Sequence, residues 1–360
     1  YARIVKEKAL RRSMIDLLTE STQEAYSERE SVEETVNKVS QGLDAINAGE
    51  TTSDFKSIAD VVNKSFEQIE QNSRTNERVT GLASGYPQLD NLTTGFHGGE
   101  MIIVAARPAV GKTAFVLNVA QKVAVADPTL PVVIFSLEMP DTSLVNRMLS
   151  AEGNIDAYNM RTGQLQDDEW RNLTVAMGSL ANTKIYIDDT AGIKVTEIRS
   201  KLRRLMKKEG QIGLVIIDYL QLIEGSGRDG RQQEVSAISR AIKKMAMELD
   251  TPIIALSQLS RGVEQRQDKR PILSDIRESG SIEQDADIVA FLYREDYHRN
   301  DNDDTDNPND PRDDEDVVEV EVILEKNRSG ARGTARLLFV KSYNKFSNIE
   351  YHAEEQHGFG

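Results

Sequence analysis

Two hydrophobic periodicities divide the chain. Through residues 1 to about 50 the apolar positions are sparse and helically spaced: Ile4, Val5, Met14, Leu17 and Leu18 stand amid charges, and Val32, Val36, Val39, Leu43 and Ile46 follow at intervals of three and four. This spacing predicts two helices. Thr51-Thr52-Ser53-Asp54 can cap a further helix, whose stripe Phe55, Ile58, Val62, Phe66 and Ile69 again steps by three and four. That helix lies isolated between polar stretches, Gln71 to Thr80 among them, and its apolar face needs a partner in its own chain or in a neighbour. From Gly81 onward short apolar runs alternate with helical segments, the pattern of an α/β fold with a mostly parallel central sheet covered by helices. Strands are expected at Met101–Ala105, Val132–Leu137, Ile185–Ile187, Leu214–Ile217 and Ile253–Leu256, then near Ile288–Tyr293, Val318–Leu324 and Ala335–Lys341, the last of them antiparallel additions. Three regions follow: helical residues 1–50, a linker with an amphipathic helix at 51–80, and a large domain at 81–360.

Composition adds exclusions. At 360 residues the chain exceeds one ordinary domain. Its 39% hydrophobic and 29% charged residues exclude wholesale disorder, and no apolar run approaches membrane-spanning length. The absence of cysteine removes disulfides, thiolate zinc sites and cysteine nucleophiles, and fits a reducing cytoplasm; four histidines argue against a histidine-rich metal centre. An opening at Tyr1, inside a charged helical pattern, predicts a fragment of a longer protein. The net charge of −15 argues against nucleic-acid binding only until it is mapped: Asn300 to Asp316 holds nine acidic residues and one arginine, so over half of the excess sits in one tract. That tract, with two prolines and several asparagines, cannot bury a core and is expected to be a disordered surface loop.

The chemistry gathers at strand ends. Met101–Ala105 runs into Ala106-Arg107-Pro108-Ala109-Val110-Gly111-Lys112-Thr113 and then an apolar helical stretch beginning at Ala114, a phosphate-binding loop in its strand-to-helix setting. Backbone amides and the helix N-terminus cradle phosphate oxygens, Lys112 brings a cation to the outer phosphates, and Thr113 offers a hydroxyl to magnesium. The generic pattern has glycine where Ala106 stands, and a Gly-Lys-Thr opening a helix can also arise by chance. Leu214-Val215-Ile216-Ile217-Asp218 is a buried strand ending in a carboxylate, placed to hold magnesium opposite Thr113 or merely to cap its strand. Glu138, after Val132–Leu137, can orient or deprotonate an attacking water, or be an acid that leads a helix after Pro140. Gln258 reaches the same edge, either to report the γ-phosphate or as a polar strand end.

Taken together, the Ala106–Thr113 loop, Phe135-Ser136-Leu137-Glu138-Met139, Ile217-Asp218-Tyr219-Leu220-Gln221-Leu222, Ser257-Gln258-Leu259-Ser260-Arg261 and Arg277-Glu278-Ser279-Gly280 closely resemble the bacterial replicative helicase family called DnaB, over about residues 54 to 350. Alanine at the first loop position is usual in that family. The resemblance implies a RecA-like ATPase core, a homohexameric ring, a linker helix docking on the adjacent subunit and 5'–3' translocation along single-stranded DNA to unwind forked DNA. Residues 1–50 would be the remnant of a helical N-terminal domain. ATP and Mg2+ are the implied cofactors, primase and a helicase loader the implied partners, and the cytoplasm the implied location, with no membrane role. Carried over, Ala106 to Ala114 hold nucleotide, Thr113 and Asp218 hold magnesium, and Lys112, Glu138 and Gln258 serve hydrolysis.

The resemblance also makes Lys326 and Arg328, in Glu325-Lys326-Asn327-Arg328-Ser329-Gly330, a basic pair that reaches a neighbour's nucleotide; the residues alone read more simply as a solvated hairpin turn. Arg277, Glu278 and Gly280 resemble a loop that meets the DNA backbone, where glycine permits close approach of main-chain amides to phosphate; otherwise they are an ordinary surface loop. Arg199, Lys201, Arg203, Arg204, Lys207 and Lys208 form a basic helix, read first as a solvated face and second as a phosphate binder. Two competing functions share this core. A RecA-like recombinase filament lacks a reason for the isolated linker helix, and a nucleotide-switched scaffold has no need of the full catalytic set.

One prediction follows from composition. Replacing Asn300–Asp316 by a short Gly-Ser bridge should leave solubility, fold and ATPase intact, because a tract unable to pack contributes little and loop entropy changes slowly with length. Circular dichroism and a turnover assay check this; an insoluble or inactive product would refute it.

Overall fold

The computed structural model describes residues 2–27, 32, 35, 36, 38, 39, 42, 43, 46, 57–75, 78–225, 230–276, 280–296 and 316–349. The chain forms two compact units, Tyr1–Asn76 and Glu77–Gly360. Of the expected second helix, Val32, Val36, Val39, Leu43 and Ile46 are described and helical, whereas the capping cluster Thr51–Asp54 and the body of the acidic tract fall outside the described residues.

In the first unit α1 spans Ala2–Ser27 and α2 spans Ile58–Thr75. Ser57 opens α2: its hydroxyl accepts the Asp60 backbone N–H at 3.1 Å and donates to the Asp60 carboxylate at 2.7 Å. The stripe read from the sequence is real, and Ile58, Val62, Phe66 and Ile69 are each more than half exposed along it.

The second unit is a nine-stranded sheet: β1 Met101–Ala106, β2 Val132–Ser136, β3 Ile185–Asp188, β4 Leu214–Asp218, β5 Ile253–Gln258, β6 Ile288–Tyr293, β7 Val317–Asn327, β8 Gly333–Val340 and β9 Lys345–Asn348, in the order β3-β2-β4-β5-β1-β6-β7-β8-β9. β1 to β6 pair parallel, and only β7, β8 and β9 run antiparallel. The short β9 escapes sequence reading because Phe346 is its one apolar residue.

Helices cover both faces of the parallel part, which is why its strands are continuous apolar runs. They are α3 Pro87–Thr93, α4 Lys112–Ala126, α5 Asp141–Gly153, α6 Ala157–Thr162, α7 Asp167–Ala181, α8 Val195–Glu209, α9 Arg231–Leu249 and α10 Gly280–Asp285. The two-residue strand period sorts the core. Ile102, Val104, Ile134 and Ile216 pack with Phe115, Val119, Leu144 and Met148 of α4 and α5 on one side. Met101, Ile103, Phe135 and Ile217 pack with Ile198 and Leu202 of α8 and Ile238 and Ile242 of α9 on the other.

The basic helix is α8, and three of its cations, Arg199, Lys201 and Arg203, meet carboxylates of this chain. Lys201 pairs with Asp188 at 2.7 Å and Glu197 at 3.1 Å, and Arg199 and Arg203 both bind Glu248. This supports the solvated-face reading.

Tyr86 stands just ahead of α3, fully buried, its ring stacked on Phe115 with centroids 5.8 Å apart. Burial pushes its phenol far above the ordinary value of 10. The sign is then fixed: above pH 10 the unfolded chain releases a proton that the native chain keeps, so stability falls with rising pH by up to about 1.4 kcal/mol per unit for this group. The hydrogen bond from the phenol to the Phe346 carbonyl is long, at 3.4 Å. Tyr86→Phe should therefore change the urea midpoint little at pH 7 and flatten its decline above pH 10. An unaltered alkaline slope would remove Tyr86 as the cause.

Candidate functional site

At the C-terminal end of β1 the chain leaves Ala106, turns through residues 107–110 and enters α4 at Lys112. Ala106 is still strand, paired with Gln258 and accepting the Leu259 N–H at 3.2 Å, so a Cβ is tolerated where the generic motif carries glycine. The turn itself needs left-handed backbone, at Ala109 (φ 64°) and at Gly111 (φ 110°). A Cβ on Gly111 would come within 3.4 Å of the Phe346 ring, because Phe339 and Phe346, stacked 4.5 Å apart, floor the loop. Arg107 braces the loop from the side: its guanidinium pairs with Glu264 at 2.6 Å and donates to the Leu259 carbonyl at 2.9 Å. Arg294 holds it from the other, donating to the Ala109 carbonyl at 3.2 Å.

Parallel register brings the remaining groups to this edge. Ser136 at the end of β2 stands opposite Asp218 at the end of β4, and the Leu137 N–H donates to the Asp218 carbonyl at 2.7 Å, so Glu138 follows directly above. Thr113 donates its hydroxyl to Asp218 Oδ2 at 2.7 Å, while the buried Asp218 Oδ1 has no hydrogen-bond partner. Lys112 Nζ lies 5.1 Å above the Tyr219 ring and donates to the Ser257 carbonyl at 3.4 Å. The resulting open cleft, about 470 Å³, is lined by Ala106, Arg107, Pro108, Ala109, Gly111, Lys112, Thr113, Ala114, Glu138 and Gln258, with Val110 buried behind it.

The charges here are uncomfortable. Burial pushes the Asp218 carboxyl up, against the opposing pull of Lys112, the Thr113 hydroxyl and Arg147. Burial likewise pushes the Lys112 ammonium down, opposed by Asp218 and Glu138. Both would be relieved by a ligand carrying phosphate and a hard cation. A buried carboxylate oxygen without a partner, next to a threonine hydroxyl, fits an oxygen-preferring divalent ion that keeps several of its own waters.

Sequence reading missed Arg147, Tyr219, Arg294, Phe339, Lys341 and Asn344, which also line the cleft. Tyr219 adjoins Asp218 and was within reach of the motif. Phe339, Lys341 and Asn344 come from the antiparallel extension, and only the knowledge that β8 and β9 fold under the loop places them.

Lys326 and Arg328 lie elsewhere. β7 runs antiparallel to β6, pairing Glu321 with Tyr293 at the cleft edge and Asn327 with Ile288 at the other. The pair is thus at the N-terminal edge of the parallel strands, roughly 15 Å of strand from its own phosphate loop. Burial pushes the Lys326 ammonium down, with Arg328 beside it adding to the effect. Gly280 begins α10, beside Ser236 of α9; Arg277 and Glu278 lie outside the described residues.

The profile of the DnaB-like helicase C-terminal domain matches residues 81–348. Replicative DNA helicase DnaC of Bacillus subtilis (strain 168) is 53% identical over 352 residues, 97% of this chain and 74% of that protein. Replicative DNA helicase DnaB of Geobacillus stearothermophilus is 50% identical over 357 residues, 99% of this chain and 76% of that protein. Among solved structures, a DnaB-like replicative helicase described with its interactions with primase superposes with a TM-score of 0.80 at 36% identity, covering 97% of this chain and 78% of that one. With the match spanning both units at these identities, the chain belongs to the DnaB family of replicative DNA helicases.

Proposed function

We propose that this cleft binds ATP with Mg2+ and that its hydrolysis drives translocation along single-stranded DNA and unwinding of forked DNA within a homohexameric ring. The observation that carries the reading is Asp218, buried, with one oxygen on the Thr113 hydroxyl and the other unpartnered, beside the desolvated Lys112. Thr113 and Asp218 would hold the metal, which when bound supplies positive charge at the outer phosphates.

The chain's own residues do the rest. Backbone amides from Ala109 to Ala114 and the N-terminus of α4 point at phosphate oxygens, and Lys112 adds a mobile cation to them. Glu138 accepts a proton from the attacking water, at the end of a strand that cannot shift without breaking its register with β4. Gln258, tied to the loop through β1–β5 pairing, senses whether the γ-phosphate is present. Arg277, Glu278 and Gly280 meet the DNA backbone. Residues 1–50 belong to a helical N-terminal domain, 51–80 are the linker and 81–360 the motor. The exposed stripe of α2 docks on an adjacent subunit, giving ring closure a physical driving force in buried apolar surface. Primase and a loader are the proposed protein partners, and the cytoplasm the proposed location; among the described residues no helix is long and apolar enough to cross a membrane.

Lys326 and Arg328 act on the neighbour's nucleotide. Their place at the opposite sheet edge supports this, because it puts them out of reach of the cleft in their own chain.

Two experiments test the reading. With single-stranded DNA present, Lys112→Ala should lose nucleotide affinity and turnover together, whereas Glu138→Gln should retain binding and lose turnover by about 10²-fold or more. Wild-type hydrolysis in Glu138→Gln would remove it as the base, and failure of the wild type to unwind a forked duplex would remove the motor reading. The second mixes Arg328→Ala with Lys112→Ala subunits, each inactive alone. Interfaces pairing an intact loop with an intact finger should restore part of an effect typically worth about 10³–10⁵ in rate. No recovery, with subunit exchange shown independently, would place Arg328 in its own chain's site.

A further inference from the structure

The surroundings of Arg328 form a built mount rather than a loose turn. Asp287, buried between α10 and β6, distributes its two carboxylate oxygens differently. Oδ2 accepts the Met101 backbone N–H at 2.8 Å and the Lys243 ammonium at 2.6 Å, fixing the carboxylate to the start of β1 and to α9. Oδ1 accepts Arg328 at 3.2 Å, and the Asp287 carbonyl accepts the Arg328 backbone N–H at 3.0 Å. The last turn of α10 takes further donors: Lys326 Nζ donates to the Glu283 carbonyl at 2.6 Å, and Arg328 donates to the Gln284 carbonyl. α10 is in turn pinned to α9 by Ser239 on Asp285 and Ser281 on Ser236.

We infer that Asp287 is the positioning residue of the helicase reaction that aims Arg328, with the carbonyl end of α10 as the second arm of the mount. The inference rests on the assignment of Lys326 and Arg328 to the neighbour's site. Its physical basis is entropic as well as electrostatic. An unrestrained arginine is spread over many rotamers. Binding one face of the guanidinium to a rigid carboxylate removes much of that freedom before the neighbour's nucleotide arrives. The carboxylate is rigid because its other oxygen is committed to β1 and α9, so the aim of Arg328 is referred to the sheet that carries the phosphate loop. Because Lys326 and Arg328 both hold carbonyls of a single helical turn, a displacement of α10 moves the two cations together.

The test follows ATPase of the assembled full chain with and without single-stranded DNA, separating kcat from KM, for wild type, Arg328→Ala, Asp287→Asn and the double variant. Asp287→Asn should lower the DNA-stimulated kcat about tenfold, the size expected for losing one charge-assisted hydrogen bond, leave the KM for ATP nearly unchanged, and add nothing to Arg328→Ala. Losses that multiply in the double variant, or full turnover in Asp287→Asn, would overturn the inference. Wild-type turnover in Arg328→Ala would instead strike the trans assignment, and the inference with it. Since Asp287→Asn takes the carboxylate from the Lys243 ammonium and leaves it the Gly99 carbonyl at 2.8 Å, Lys243→Met with Asp287→Asn removes both charges together. That variant should melt with the wild type and show the same fall in kcat. A lowered melting temperature shared by both would mark a role in the fold alone and overturn the assignment.

Discussion

Parallel strand register is the constraint on which the site depends. Ala106 is opposite Gln258 and Ser136 opposite Asp218, so the ends of four strands are fixed to one another by backbone hydrogen bonds that no side chain can alter. A slip of one residue would turn Ile102, Val104, Ile134 and Ile216 from one apolar layer into the other, at the cost of the whole core. The chemistry is thereby positioned by the most stable part of the molecule. Loops supply only the phosphate cradle.

The same constraint explains the electrostatics. Strand ends cannot retreat into water, so Asp218 and Lys112 stay where burial disfavours both charges. Left without a ligand the arrangement is costly; with polyanion and cation it becomes a set of short, dry contacts. The phosphate loop is similarly held on three sides, by Arg107, Arg294 and the aromatic floor, so its left-handed residues need not be reorganised on binding.

What was legible in the sequence follows from range. The phosphate loop, the carboxylate ending β4, the acid after β2 and the polar end of β5 are each announced by a strand and the one or two residues after it. Such signals are local, and they suffice to bring Lys112, Thr113, Glu138, Asp218 and Gln258 to one edge. Arg147, Arg294, Lys341 and the Phe339–Phe346 pair depend on contacts spanning long stretches of chain and carry no local mark. β9 failed for a different reason, since four residues with one aromatic present no period. Helix α2 was read correctly as a stripe, but its start moved, because Ser57 and Asp60 bond each other and set the first turn there.

The aromatic floor carries a consequence for how the molecule is made. Phe339 and Phe346 lie under Gly111, and the Asn118 side chain ties α4 to β9 by accepting the Phe346 N–H and donating to the Asn344 carbonyl. Ribosomes synthesise Gly111 more than two hundred residues before Phe346. Until those last strands emerge and dock, the loop has its braces from Arg107 and Arg294 but not its floor. A nascent chain therefore carries this loop unfinished through most of its synthesis, and completes it only when the end of the sheet is made.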